Sequence, residues 1–339
     1  MSANSLILSP GTIERAKREF HDLKITGPES GDNFFGRYGP GNTFPSPDRP
    51  YERFSDYESL LQELQAADGE KFEKMHKGTP YYFLFWTAYD CRWYEKALFY
   101  LDAAISEDIA ADPSGWHRRR QATNYLWLKD TGEVAAGRVV RHTKYLIEQQ
   151  LVRFNGISGA NAVSVNSFVT QFVEKLVLDN TAGTPVGKPQ RTIATALYTF
   201  IAEFEERYKE LSLRSGKGGS IELPLKHLFK GGLIFESILK MCYPTRPKGN
   251  LGNVVNGSLF QADFPGSVST SAAQISDILG LALAAPNARL TAFNVTSQLR
   301  NTTGHNLVWD DVFAVPGNFR SLCEQQINAV LHVVVRKFL

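Results

Sequence analysis

Cysteine is nearly absent. Cys91, Cys242 and Cys323 are the only three in 339 residues, and they lie far apart. They form no CxxC pair and no zinc pattern, and an odd number argues against a disulfide framework. A reducing, cytoplasmic compartment suits such usage best. Long apolar runs are lacking too. No segment reaches about 18 uninterrupted apolar residues, so neither a transmembrane helix nor a membrane partner is expected. The opening MSANSLILSPGTIERAKREF turns polar after Leu8. It lacks the basic start and long apolar stretch of a secretory signal. Charge of one sign is also missing. The formal net charge is +2, so a nucleic-acid surface, if the chain has one, must be local. There is no fixed-period repeat. A His-x-x-x-His metal pair, a nucleophile elbow and a paired-carboxylate signature are all absent, so no metal and no cofactor is expected.

What the chain does have is helical patterning. Residues 27–54 are dense in glycine and proline and read as a surface loop, with Phe34, Phe35, Tyr38 and Phe44 holding it down. A helix is expected after Ser55, which has capping-box spacing to Glu58. The aromatic stretch 80–105 reads as one buried helix, with a strand as the alternative for its first seven residues. The segments on either side of Gly132 suggest a helical hairpin. Residues 163–178 read as a helix, although their valines keep a strand open. The segment 179–189 (DNTAGTPVGKP) is the preferred domain boundary, dividing 1–180 from 190–339. Beyond it come an amphipathic helix, a flexible loop, a helix carrying Gly231 and Gly232, and a long loop over 244–270. Two further helices and a last one follow, the last with an apolar face at 319, 322, 323, 327, 330, 331 and 334. Nothing alternates strand and helix clearly enough for a parallel sheet. The expected fold is mainly α, with a mostly helical N-terminal half and a C-terminal bundle of about five helices.

The sharpest constellation is Leu299-Arg300-Asn301-Thr302-Thr303-Gly304-His305-Asn306-Leu307. An arginine, a polar residue beside it and a histidine after four intervening residues stand late in a helical segment, with one helix to follow. In this the C-terminal part, roughly residues 190–339, resembles the HEPN family. Its signature is Arg, then a polar residue that is often Asn, then His at four to six residues' separation.

These residue types suit phosphodiester chemistry. RNA carries its own nucleophile, the neighbouring 2′-hydroxyl, so cleavage needs neither a metal nor a covalent enzyme intermediate. The site must move protons and stabilise a phosphorane. Histidine titrates near neutrality. Arginine offers a permanent charge and a planar donor fork. Asn301 would orient either group. Five steps along an ideal helix turn a side chain by about 500°, so Arg300 and His305 would point apart unless the chain bends. Gly304 gives it that freedom. The resemblance implies a homodimer that brings two copies of the motif into one cleft, and products with a 2′,3′-cyclic phosphate and a 5′-hydroxyl. It also implies service in toxin–antitoxin, CRISPR-associated or anti-phage defence, under the control of a regulatory protein or ligand.

Other signals are weaker. Arg118, Arg119 and Arg120, with Arg141 downstream, form the densest basic area and are candidate RNA contacts. The competing reading is a solvated face paired with acids. Lys217, in a Gly-rich loop that fails the phosphate-loop spacing, is a further candidate RNA contact. His227 and His332 read as core or interface histidines. Glu236, polar in an apolar run, is a candidate partner for an arginine such as Arg300. The alternative to a catalytic motif is that Arg300 pairs with Asp310 or Asp311 and that His305 caps a helix. The expected function is a HEPN-type, metal-independent endoribonuclease acting on RNA. The alternatives are a non-catalytic helical dimerisation or interaction module and a nucleic-acid-binding regulator.

Overall fold

The structure, a computed structural model, describes residues 10–38, 49–116, 121–130, 132, 134–159, 162–178, 188–213, 220–244, 249–303 and 313–339. Among them every regular element is helical. The chain forms two compact units, Met1–His142 and Thr143–Leu339. The division falls inside one helix, Val134–Ser158, and not at 179–189, of which residues 179–187 lie outside the described residues. The physical reason is packing. Residues 165–178 lie against the helices that follow them, and so belong to the second unit.

In the first unit, α1 (Pro10–Asp22) and α2 (Pro28–Tyr38) precede α3 (Pro50–Ala67) and the short α4 (Gly69–Lys74). The segment read as a loop thus contains a full helix. Pro28 takes its first position, where a missing N–H costs nothing. Phe34, Phe35 and Tyr38 are buried, and Phe34 meets Phe20 of α1 at 5.9 Å. Gly31 lets α2 touch the backbone of His76; a side chain there would collide with the His76 carbonyl. The next helix starts at Pro50, not after Ser55, which lies inside it with Glu58. Phe54 and Tyr57 are buried on it and reward the extra turn.

The aromatic stretch is two helices, not one: α5 (Gly78–Asp90) and α6 (Tyr94–Ala111), packed together as a hairpin. The strand alternative for the first residues of the stretch does not occur. Most of its aromatics are core, as with Phe85, whose ring lies 4.8 Å from that of Tyr125 on α7 (Gln121–Leu126), while Trp93 and Phe99 are exposed. The break is made at Arg92, which has φ +61°. Its N–H donates to Tyr89 and that of Trp93 to Ala88, both at 2.9 Å. This is the double hydrogen bond of a Schellman helix end, normally built on glycine. Leu128, at φ +49°, ends α7 in the same way. Neither corner carries a glycine, so no residue type announces these turns.

Between α4 and α5 lies a buried charge cluster. The His76 side chain is 5% exposed, with Nδ1 3.1 Å from Asp32 and Nε2 3.3 Å from Asp108. Thr79 donates to the same Asp32 oxygen at 2.6 Å. Burial alone would depress the imidazole, but the two aspartates overcome it and raise its pKa to about 9. The histidine is therefore a cation at neutral pH. Beside it, Lys77 donates to the carbonyl of Met75 at 2.7 Å, so its ammonium closes the turn.

In the second unit the Thr143–Ser158 part of α8 (Val134–Ser158) is followed by α9, built from Val165–Ser167, a π turn over Phe168–Val173, and Glu174–Leu178. The segment 163–178 is thus helical, not a strand. Then come α10 (Lys188–Leu213), α11 (Glu222–Cys242), α12 (Leu251–Val255), α13 (Ser258–Asp263), α14 (Ile275–Ala284), α15 (Arg289–Thr302) and α16 (Pro316–Phe338). The long loop expected over 244–270 holds α12 and α13. Asn250 caps α12 by accepting from the N–H of Asn253.

Helix α16 is the centre of this unit and packs on α10, α11, α14 and α15. All seven positions of its expected apolar face are buried, and so are Gln325, Gln326 and Asn328. A helix buried all round needs partners for its polar groups. Gln325 donates to the carbonyl of Pro286 at 2.8 Å and Gln326 to that of Leu228 at 2.6 Å. Asn328 accepts from Arg153 at 2.9 Å. These bonds fasten the loop before α15, helix α11 and helix α8 to one rod. His227 lies in the core, stacked on Phe200 at 4.2 Å. His332 is flanked by Phe154 at 4.9 Å and Phe293 at 6.1 Å.

Candidate functional site

The last turn of α15 carries Arg300 and Asn301. Leu299, fully buried, anchors the turn, and the Thr303 hydroxyl closes it by donating to the Leu299 carbonyl at 2.6 Å. Across from it, α11 presents Gly232, Glu236 and Lys240 at intervals of four, one stripe of the helix. Glycine is needed in that stripe. A Cβ at Gly232 would lie 2.6 Å from Cβ of Arg300 and 2.9 Å from its Cα. The glycine lets the two backbones close up, which sets Arg300 beside Glu236.

The guanidinium is held on two sides. Nε donates to Glu236 at 2.6 Å, and Nη1 to the side-chain oxygen of Asn301 at 3.1 Å. Asn301 in turn donates to the carbonyl of Thr270 at 2.5 Å. The Thr302 hydroxyl accepts from the N–H of Ala273 at 3.1 Å. The approach to α14 is thus laced to the end of α15. Glu236 also pairs with Lys240 at 2.6 Å. Burial alone would raise its carboxyl, but the hydrogen bonds from Lys240 and Arg300 hold it below its ordinary value. Glu236 is 8% exposed and Arg300 33%. One carboxylate between two cations leaves a local positive charge. Nη2 of Arg300 has no protein partner among the described residues. A fixed guanidinium with an open corner can receive an oxyanion, and its orientation costs no further entropy on binding.

Arg300 and Asn301 are therefore adjacent and coupled by a hydrogen bond. His305 lies outside the described residues, as do Asp310 and Asp311. The arginine's carboxylate is Glu236, the partner suggested by its isolation in an apolar run. Arg118, Arg119, Arg120 and Lys217 also lie outside the described residues. Arg141 is described; it pairs with Asp130 at 2.7 Å and is 54% exposed. Its neighbour Arg138 pairs with Asp90 at 2.5 Å. This part of the basic area is matched by acids.

Sequence reasoning missed Gly232, Lys240, Thr270 and Thr302. Lys240 was legible in its four-residue spacing with Glu236, whereas Gly232 reads in sequence only as a weak spot in the helix. The threonines act through a chain crossing that leaves no local signal. No helix long and apolar enough to cross a membrane, and no group of three or more His, Cys, Asp and Glu side chains placed to hold a metal, occurs among the described residues. Compared with protein-family models, curated proteins and solved structures, the chain matches none.

Proposed function

We propose that this chain is a metal-independent endoribonuclease of HEPN type. Arg300 binds the scissile phosphate, His305 transfers protons and Asn301 positions the arginine. The 2′-hydroxyl of RNA attacks the adjacent phosphorus, the 5′-oxygen leaves with a proton, and a 2′,3′-cyclic phosphate remains. One motif offers one histidine, which cannot serve as both base and acid in a single step, so a homodimer with two motifs in one cleft suits the reaction. A defence or toxin–antitoxin role, restrained by a regulatory protein or ligand, fits an enzyme that cuts RNA. The carrying observation is the guanidinium of Arg300, bound on two sides, with no partner at Nη2 among the described residues and with four residues between it and His305.

The ion pair of Arg300 with Glu236 favours one second reading, a non-catalytic helical module in which the arginine is a fastening. Wild type, Arg300→Ala and His305→Ala, incubated with end-labelled RNA in EDTA, separate the two. The nuclease reading expects cyclic-phosphate ends from wild type and a loss of about a hundredfold or more in either variant. Equal cleavage by all three sinks it. The fastening reading expects no cleavage by any of them, with a lowered melting temperature in Arg300→Ala alone.

A further inference from the structure

The opposite end of α15 carries a second cationic feature. A cleft of about 660 Å³ lies there between the end of α8, helix α13, the start of α15 and the last turns of α16. Its volume falls in the usual range for small-molecule sites. Arg289 and Arg336 line it together with Asn287 and His332, and Ile157 and Val335 supply apolar wall.

The charges are unequally matched. Arg336 and Lys337 both pair with Asp263, at 2.8 and 2.6 Å, and Tyr243 donates to the same carboxylate at 3.0 Å. Arg289 lies over the ring of Phe264 at 5.3 Å and has no carboxylate partner among the described residues. Two guanidinium groups, Arg289 and Arg336, thus line the cleft with one carboxylate, Asp263, which Lys337 also engages. The start of α15 adds to this. Ala288 provides no side-chain cap, and the first turn holds no acidic residue. Its first N–H groups therefore keep their partial positive charge unanswered beside Arg289. His332 stays neutral, since burial and then Arg289 push its pKa down to about 4. It can offer a hydrogen bond without adding charge.

We propose that this cleft binds a phosphate monoester with a small apolar body. The phosphate meets Arg289, Arg336 and the start of α15, and the body lies on Ile157 and Val335. A dianion with three terminal oxygens matches two guanidinium forks better than a carboxylate does. The site is separate from the proposed nuclease centre. Arg289 and Arg300 stand at opposite ends of α15, roughly 16 Å apart along its axis. The same chemical group occurs on free small molecules and at the 5′ end of an RNA strand.

The test is calorimetric titration of the full chain, carrying His305→Ala so that RNA stays intact. Phenyl phosphate, phenol, and a short RNA with a 5′-phosphate or a 5′-hydroxyl are the probes. Phenyl phosphate should bind saturably and phenol should not. Arg289→Gln should weaken phenyl phosphate about tenfold or more, and Arg289→Lys should restore part of it. Arg289 is at the surface, so circular dichroism should show both variants folded. Preference for the 5′-phosphorylated strand assigns the site to RNA ends, and indifference assigns it to free small molecules. Undiminished binding by Arg289→Gln, phenol binding as tightly as phenyl phosphate, or no saturable binding by about 10 mM would each overturn the proposal.

Discussion

Raising the pH from 6 to 9 should strip stability from the first unit, and His76 sets how much. Its folded pKa is about 9 and its ordinary value 6.5. A group whose pKa is raised by folding contributes fully below the unfolded value and loses the contribution as pH climbs through the folded one. The window is therefore about 6.5 to 9. The shift is about 2.5 units, and each unit is worth 1.36 kcal/mol, so about 3 kcal/mol should vanish across it. The side chains of His76 and Asp108 are 5% and 7% exposed and that of Asp32 is 28% exposed, so solvent screens the Asp32 part and the figure is an upper value. That loss is a large part of a typical domain stability. Trp86, Trp93, Trp116 and Trp127 all lie in the first unit. The fifth, Trp309, lies in the second unit, so urea unfolding followed by tryptophan fluorescence at pH 6, 7, 8 and 9 in a Trp309→Phe background reads the first unit. The free energy should fall by up to about 3 kcal/mol, and the slope should flatten in His76→Gln. If wild type changes by less than about 1 kcal/mol, the aspartates do not hold the proton and the buried cation is refuted. A full slope retained in His76→Gln would refute it equally.

Two substitutions test the close contacts. Gly232→Ala places a methyl 2.6 Å from Cβ of Arg300; it should cost about 1 to 3 kcal/mol through overpacking. If the chain is the proposed nuclease, the variant should also lower RNA cleavage by moving the guanidinium; a melting temperature equal to that of wild type would show that α11 and α15 do not pack this tightly. Arg92→Gly relieves a left-handed conformation costing about 1 to 2 kcal/mol and adds unfolded-state entropy of about 0.5 to 1. It should raise stability by up to about 1 kcal/mol, and denaturant midpoints that fall instead would mean the arginine side chain matters more than its backbone.

Periodicity made the second unit readable. The strong amphipathic patterns of α10, α11, α15 and α16 each met a core, and every apolar position named on α16 is buried. What stayed hidden there was polar. Gln325, Gln326 and Asn328 look like a solvated face until their partners, far away in sequence, are known. In the first unit the difficulty was punctuation. Glycine and proline suggested a loop where Phe34, Phe35 and Tyr38 hold a helix, because burial of three aromatics outweighs a few tenths of a kcal/mol per residue of propensity. Arg92 and Leu128 turn the chain with no glycine to announce it. At the candidate site, a lone acid in an apolar run points to Glu236 as a partner for Arg300, and the pair is there at 2.6 Å. Asn301 sits beside it, while His305 lies outside the described residues. The closeness of α11 and α15 was not legible, since Gly231–Gly232 reads in sequence only as a weak spot in a helix.

The central place of α16 has a consequence for how the protein is made. The second unit cannot close around a helix that has not yet left the ribosome. From Thr143 to Phe338, synthesis takes roughly 10 to 40 s at about 5 to 20 residues per second. Once made, α11 and α15 wait for the rest of that time without the rod that Gln326 and its neighbours use to bind them together. If Arg300 serves the proposed nuclease, its setting on α15 would stay unassembled until α16 has emerged.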